Sequence, residues 1–95
     1  MPASISETEV SVVKAFLKGK KLKHLRCRQR AATVIIESGP KDDALGHLRL
    51  RKLSATNWAA DEFHHSGRWS PLPIQAPLAE ALSAVAADFS WLLAA

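Results

Sequence analysis

Hydrophobic residues recur every three or four positions near both ends of the chain, and they alternate with polar residues in the segments between. Near the N-terminus this spacing predicts an amphipathic helix over 6–18. Its apolar stripe consists of Val10, Val13, Phe16 and Leu17. Ser6 and Glu9 are spaced as in a capping box, where each residue bonds to the other, and Gly19 is expected to end the helix in a left-handed conformation.

A second helix is predicted over 77–93, because apolar residues there follow alternating spacings of four and three. Its stripe comprises Leu78, Leu82, Val85, Phe89 and Leu92. Pro77 suits the first position of a helix, and the many alanines of this segment favour helix formation.

The segment between the helices begins with an alternating pattern that predicts one long strand over 22–38. The alternation changes phase near 31–33, which either a β-bulge or an unbroken strand with one covered end explains. A second strand is predicted over 45–53, and we expect it to pair antiparallel with the first through a hairpin.

The pattern after the second strand is less regular. A third strand is predicted over 56–63, and a short last strand over 68–72. Because proline cannot donate to a sheet ladder, Pro71 and Pro73 place this last segment at a sheet edge or end it.

The order of these elements predicts the fold class α+β, in a single domain over 1–95. We expect an N-terminal helix, a three- or four-stranded antiparallel meander, and a C-terminal helix packed on one sheet face. The 95 residues allow one domain, and 47% hydrophobic with 23% charged residues is an ordinary globular balance. A chain of this size buries only about 60–65% of its extended surface, so a second subunit would add stability.

Three features indicate a cytoplasmic protein with no membrane partner. Cys27 is the single cysteine, so no intramolecular disulfide forms, which fits a reducing compartment. The first seven residues lack the basic and apolar regions of a signal peptide. The apolar tract over 76–95 contains two acidic residues and two serines, which make it a poor membrane span.

The formal net charge of +4 is distributed very unevenly. Eight basic residues and no acid lie between Lys14 and Arg30, whereas the rest of the chain has five basic and nine acidic residues. Alternation places three of these arginines on one strand face, where we expect them beside basic residues of the next strand. The candidate nucleic-acid-binding residues are Lys20, Lys21, Lys23, Arg26, Arg28, Arg30, Arg49 and Arg51, with His47 beside them.

Two interpretations of this basic face stay open. Phosphate backbones bind such a surface by charge neutralisation, so nucleic acid or another polyanion is one partner class. Alternatively, the face is solvated and its arginines keep the sheet edge from pairing with other chains. Aromatic residues for base stacking are expected elsewhere, since none alternates with the arginines on the predicted basic face.

Metal and catalytic chemistry have little support in the residue spacing. The four histidines have no metal-ligand spacing and no second cysteine beside them, so neither a metal nor another cofactor is expected. An acid–base set over 61–65 is the one catalytic candidate, formed by Asp61, Glu62, His64 and His65. The alternation phase of Cys27 with Leu25 favours a buried thiol over a reactive one.

The tryptophans suggest packing and a contact surface. Trp58 and Trp69 are expected to pack across adjacent strands, with Trp58 in the core and Trp69 either there or at a rim. Trp91, Leu92 and Leu93 exceed what one buried helical stripe needs, and we expect them to bury against another subunit. The candidate interface of a homodimer is therefore Trp69, Trp91, Leu92 and Leu93.

Several of these features together resemble a small bacterial family of unknown function. They are the opening helix over 6–10, the arginine-rich first strand, Trp58 and Trp69 with ten residues between them, and a final helix ending in Asp88 and Phe89. This chain lacks the tyrosines that accompany those tryptophans. The resemblance implies an α+β domain and no assigned activity.

The order of elements is also that of double-stranded-RNA-binding domains, which grip phosphates with lysines at the start of the last helix. Here that position, 76–80, has no basic residue. We therefore expect first a non-catalytic binding or accessory module acting through protein contacts, and as alternatives a nucleic-acid-binding protein or a small enzyme.

Overall fold

The computed structural model describes residues 4–22, 24–64 and 66–93, and for Lys41 the backbone only. Its helices are α1 (Glu7–Gly19) and α2 (Leu78–Asp88), and short 3₁₀ turns cover Lys41–Asp43 and Ser90–Leu93. The strands are β1 (Arg26–Arg30), β2 (Thr33–Ser38), β3 (Leu45–Ser54), β4 (Asn57–Phe63) and β5 (Trp69–Ala76).

These strands form one antiparallel sheet in the sequence order β1-β2-β3-β4-β5, with every neighbour joined by a direct connection. The α+β class, the N-terminal helix, the meander and the C-terminal helix are confirmed. The expected three or four strands are wrong, because the described residues form five.

The fifth strand arises because the segment predicted as one long strand is a hairpin. β1 and β2 pair antiparallel, with Arg30 opposite Thr33, and the turn between them is only Ala31 and Ala32. Ala31 has a φ of 52°, the left-handed conformation that a tight turn requires and that alanine rarely adopts. The change of phase in the pattern thus marks a turn, and a β-bulge occurs elsewhere, between β2 and β3 at Ile36 and Glu37.

Both helices cover the same face of the sheet and enclose the core with it. From α1 come Val13 and Leu17, and from α2 the apolar stripe that begins at Leu78. The sheet contributes alternate residues of its central strands, namely Val34, Ile36, Leu48, Leu50, Trp58 and Ala60. Trp58 is fully buried, as expected, but Trp69 lies on the other face of the sheet and the two rings do not pack together.

The ends of α1 follow local chemistry. The predicted capping box is confirmed, since Ser6 Oγ accepts from the backbone N of Glu9 at 3.2 Å and Glu9 Oε1 accepts from the backbone N of Ser6 at 2.9 Å. At the C-terminus the left-handed residue is Lys21, with a φ of 58°, and not Gly19, which is the last helical residue. The backbone N of Leu22 donates to the carbonyl of Leu17 at 3.0 Å, the bond of a Schellman motif.

The last helix is shorter than predicted, because α2 ends at Asp88 and a 3₁₀ turn follows after Phe89. Two histidine rings hold that turn against the sheet. His47 Nδ1 lies 2.9 Å from the carbonyl oxygen of Leu92, and His24 Nε2 lies 3.1 Å from that of Leu93. The helix stops there and the chain turns back onto β3.

Candidate nucleic-acid interface on the open sheet face

The face of the sheet that bears no helix, called the open sheet face below, presents five arginines. Arg26, Arg28 and Arg30 alternate along β1, and Arg49 and Arg51 alternate along β3. The strand β2 separates the two groups, with Ile35 opposite both Arg28 and Arg49, and Thr33 opposite both Arg30 and Arg51. The predicted arginine residues therefore share one face, although they are not on neighbouring strands.

Contrary to the expectation from the sequence, His47 does not lie on this surface. The bulge leaves it without a partner in β2, since Ile36 pairs with Leu48 and Glu37 with Gly46. Its ring lies between the hydroxyl of Ser38, at 2.7 Å, and the 3₁₀ turn that follows α2.

Two buried carboxylates hold four of the arginines. Glu37 is 3% exposed and accepts from Arg26 Nη2 at 2.9 Å and from Arg28 Nε at 2.7 Å. Burial acts to raise the pKa of Glu37, but the hydrogen bonds from Arg28 and Arg26 outweigh it and hold the pKa below its usual value.

The second carboxylate, Asp61, is 2% exposed and lies opposite Arg49 in the pairing of β3 with β4. It accepts from Arg49 Nε at 2.9 Å, and from Arg51 Nε at 2.6 Å and Nη2 at 3.1 Å. The carboxylate thus bridges the two guanidinium groups, which lie side by side on β3.

The five guanidiniums and two carboxylates leave this group of side chains with a net charge of +3. The guanidinium group of Arg30 has no hydrogen bond or ion pair to any other described residue, although its carbonyl accepts from Thr33 Oγ1. The open sheet face is therefore positive, but less so than the sequence indicated, because acids from outside the basic segment lie beneath the arginines.

Aromatic side chains lie on the same face, contrary to the expectation from the sequence. The Cζ atom of Arg49 lies 5.0 Å from the ring centroid of Trp69, and the Phe63 and Trp69 rings meet edge to face with centroids 5.1 Å apart. Gly46 makes room for this cluster, since a Cβ atom there would lie 3.1 Å from Cη2 of Trp69.

A shallow depression of about 210 Å³ joins the arginines to the aromatic cluster. Its lining comprises Arg28, Arg30, Ile35, Glu37, Ala44, Gly46, Phe63 and Trp69. It therefore combines guanidinium donors, an apolar floor and aromatic rings, the groups that single-stranded nucleic acid uses for phosphate and base contacts.

The predicted lysines lie apart from the arginines. Lys21 lines a groove of about 330 Å³ between the end of α1 and Leu25, and Lys20 lines a second groove toward the 3₁₀ turn after α2. Both grooves belong to the helix side of the sheet. Lys23 lies outside the described residues. The basic segment thus wraps around the edge strand β1 and supplies two different surfaces.

The acid–base candidates are not brought together. Asp61 bonds to arginines on the open sheet face, whereas Glu62, the next residue of β4, points to the opposite face. His64 is exposed and its Nδ1 lies 3.0 Å from the hydroxyl of Ser66, and His65 lies outside the described residues.

Cys27 is half-buried and packs against the core, as its alternation phase indicated. Burial raises the pKa of its thiol, and the nearby charge of Lys14 offsets only part of that effect. In the described ranges, no three His, Cys, Asp or Glu side chains are grouped closely enough to hold a metal ion.

The four candidate interface residues are spread over different environments. Trp91 is 61% exposed, and its ring centroid lies 5.3 Å from that of Phe89. Leu93 is buried in the core, Leu92 is half-buried against it, and Trp69 lies on the open sheet face. Of these four residues, only Trp91 presents a large apolar surface to solvent.

The sequence pattern predicted the arginines of this face but not the apolar, acidic and aromatic side chains that surround them. Ile35, Glu37 and Phe63 share the face with the arginines because residues opposite each other in an antiparallel pair point to the same side. Their alternation in the sequence carried this signal, but only the hairpin at Ala31 reveals which strands are neighbours.

No family model matched the chain, and neither a curated protein nor a solved structure proved similar to it. The resemblance to a small bacterial family therefore stays a prediction. Among the described helices, none combines the length and the apolar composition needed to cross a membrane.

Proposed function

We propose that this chain is a non-catalytic module that binds single-stranded nucleic acid on its open sheet face. The observation that carries the proposal is the set of guanidinium groups around Ile35, beside the half-buried ring of Trp69. Guanidinium groups bind phosphate with directed hydrogen bonds, and aromatic rings contact bases of any sequence.

The shape of the surface favours a single strand over a duplex. Proteins that read the major groove of DNA insert a helix or a two-stranded ribbon, whereas here the positive surface is the broad face of a five-stranded sheet. A flat sheet with aromatic rings suits bases that are not paired with another strand. The cytoplasm, which holds nucleic acid and keeps Cys27 reduced, is the compartment that fits this proposal.

A salt titration tests the proposal. A fluorescently labelled oligonucleotide is titrated with the protein at two salt concentrations, as a single strand and as the duplex of the same sequence. We expect tighter binding of the single strand and a marked loss of affinity at the higher salt, because bound phosphates release counterions. Undetectable binding at low salt, or affinity that does not depend on salt, would contradict the proposal.

Two charge reversals locate the binding surface. Arg30→Glu acts on the open sheet face and Lys20→Glu on the helix side, and both residues are exposed. Each variant lowers the net charge by the same amount, so a difference between them reports position. We expect Arg30→Glu to weaken binding about tenfold and Lys20→Glu less than twofold. Equal losses would mean that net charge alone attracts the ligand.

A second function, an accessory module acting through protein contacts as a homodimer, is favoured by Trp91. An exposed tryptophan beside Phe89 is the kind of aromatic anchor that dominates protein interfaces. Sedimentation at micromolar and high micromolar concentrations tests it. Concentration-dependent dimerisation that Trp91→Ser abolishes supports the dimer, and a monomer throughout contradicts it.

A further inference from the structure

We propose that the arginines of β1 and β3 form two successive phosphate clamps along β2. Arg28 and Arg49 would hold one phosphate above Ile35, and Arg30 and Arg51 the next phosphate above the neighbouring residue of the same face, Thr33. This inference rests on the proposed function and specifies how the nucleic-acid strand lies on the sheet.

The fold leaves several N–H donors of the arginines without a hydrogen-bond partner. Arg28 bonds to Glu37 through Nε only, and Arg49 bonds to Asp61 through Nε only. A guanidinium has five N–H donors, so both terminal amines of each arginine have no hydrogen-bond partner among the described residues, and the Arg49 guanidinium also lies over the Trp69 ring. By contrast, Arg26 directs Nη2 to Glu37 and Nη1 to the carbonyl of Gly39.

These amines belong to arginines on the two strands that flank β2. Arg28, Ile35 and Arg49 form one row across the sheet, so the two arginines flank the isoleucine at two strand spacings, about 10 Å between their backbones. Ile35 is only 8% exposed and forms an apolar floor that offers no hydrogen bond. A phosphate above this floor would accept from the terminal amines of Arg28 on one side and of Arg49, whose Nε is held by Asp61 of β4, on the other.

Buried carboxylates hold arginines of the clamp in place before a ligand binds. The side chains of Glu37 and Asp61 are 5% and 2% exposed, and they fix the Nε edges of Arg28, Arg49 and Arg51 from beneath. The Arg30 guanidinium has no such contact among the described residues and would be ordered only when the ligand binds. A donor whose rotamer is already fixed loses less conformational entropy when a ligand binds. The carboxylates thus engage Nε and leave the terminal amines of Arg28 and Arg49 available to a ligand, while the arginines prevent the carboxylates from repelling the phosphate directly.

The arrangement of two arginines across β2 repeats along the strand. A second row, Arg30, Thr33 and Arg51, lies two residues along β2 from the first, a distance of about 7 Å. This distance is close to the separation of successive phosphates in an extended nucleic-acid strand. Two consecutive phosphates would therefore lie along β2, and the depression beside Trp69 is lined by Arg28 and Ile35 of the first row and by Arg30 of the second.

The test uses thymidine oligonucleotides without terminal phosphates, which contain one, two, three or more phosphates. Binding is followed by the NMR signals of the arginine Nε–H groups. We expect about a tenfold gain in affinity from one phosphate to two and a clearly smaller gain for each further phosphate. For two clamped phosphates of a single strand, the slope of log K against log salt should approach about −1.4.

Arginine-to-lysine substitutions preserve the positive charge. They therefore distinguish binding by the clamp from non-specific electrostatic attraction. Arg28→Lys and Arg49→Lys each replace paired terminal amines by one ammonium, and we expect each to weaken binding of the two-phosphate ligand about fivefold. Arg26→Lys is the matched control on the same face, because its amines are already engaged, and it should have little effect. Equal effects of Arg26→Lys and Arg28→Lys would overturn the clamp.

A further variant does not depend on the arginines. Thr33→Glu places a carboxylate at a half-buried position between Arg30 and Arg51, in the second phosphate position. This variant should bind the two-phosphate ligand no better than the one-phosphate ligand. If longer oligonucleotides bind with salt dependence but no step appears at two phosphates, the clamp is wrong and the proposed function stands. If no oligonucleotide of any length binds, both are wrong.

Discussion

Replacing Asp61 by asparagine should destabilise the protein strongly, although the substitution keeps the size of the side chain. Asp61 accepts three hydrogen bonds from two guanidiniums and is 2% exposed. Asparagine retains one acceptor oxygen and presents an amide group to the arginines in place of the other. Arg49 and Arg51 would then lie side by side without a countercharge.

The magnitude follows from the burial of the three groups. Removing one partner of a fully buried ion pair costs about 3–5 kcal/mol. Here the guanidinium side chains are 29% and 37% exposed, so water can solvate them after the carboxylate is lost. We therefore expect a loss of about 2 kcal/mol in the free energy of unfolding. For a domain of this size, such a loss lowers Tm by roughly 8–16 °C.

Urea denaturation followed by tryptophan fluorescence measures this loss, with Asp88→Asn as the control. Asp88 is exposed at the end of α2, so its substitution should change stability by less than about 0.5 kcal/mol. Arg51→Gln combined with Asp61→Asn should cost less than the two single changes together. A loss for Asp61→Asn no larger than that of the control would refute the reasoning.

Two further predictions concern the same face. The pKa of Glu37 is held below its unfolded value of about 4.3, so its ion pairs stabilise the fold above that pH and are lost as the pH falls through the folded pKa. Glu37→Gln should therefore lower stability more at pH 7 than at pH 3, and an equal loss at both pH values would contradict this assignment. Gly46→Ala should displace the ring of Trp69 and cost about 1 kcal/mol, detectable as changed ring-current shifts of Phe63; unchanged shifts would mean that the two rings do not pack over Gly46.

The parts of the fold that depend on local patterns could be predicted from the sequence. The capping box at Ser6, the helical stripe that includes Val13, and the alternation of β3 all act within a few residues of the chain. The prolines predicted that the last strand either lies at a sheet edge or ends there, because they remove ladder donors; the strand lies at the edge and continues past both of them.

The features of the fold that were predicted wrongly depend on the backbone conformation of single residues. The hairpin at Ala31 has no glycine, asparagine or proline to mark it, so the sequence showed only a change of phase. The end of α2 at Asp88 is likewise unmarked, because the apolar spacing continues through Leu92 while the chain turns back to meet His47. In both cases tertiary contacts select a conformation that local propensity does not favour.

The candidate site was predictable only in its arginines. Alternation grouped the arginines within β1 and within β3, but their shared face depended on the pairing register. The carboxylates come from β2 and β4, and their positions depend on the register of the whole sheet. Trp69 was ambiguous for the same reason, since the pattern of β5 did not show which face it occupied. Long-range pairing therefore determines the electrostatics of the site more than composition does.

The uneven charge of the sequence has a different meaning once the sheet is known. The fold does not gather the basic segment into one patch, because the lysines after α1 lie on the helix side while the arginines of β1 lie on the open sheet face. Acids from other strands then neutralise part of the arginine charge and fix the direction of what remains. A surface built in this way gives up long-range attraction and gains oriented donors, which favours recognition of phosphates at defined spacing over diffuse binding to any polyanion.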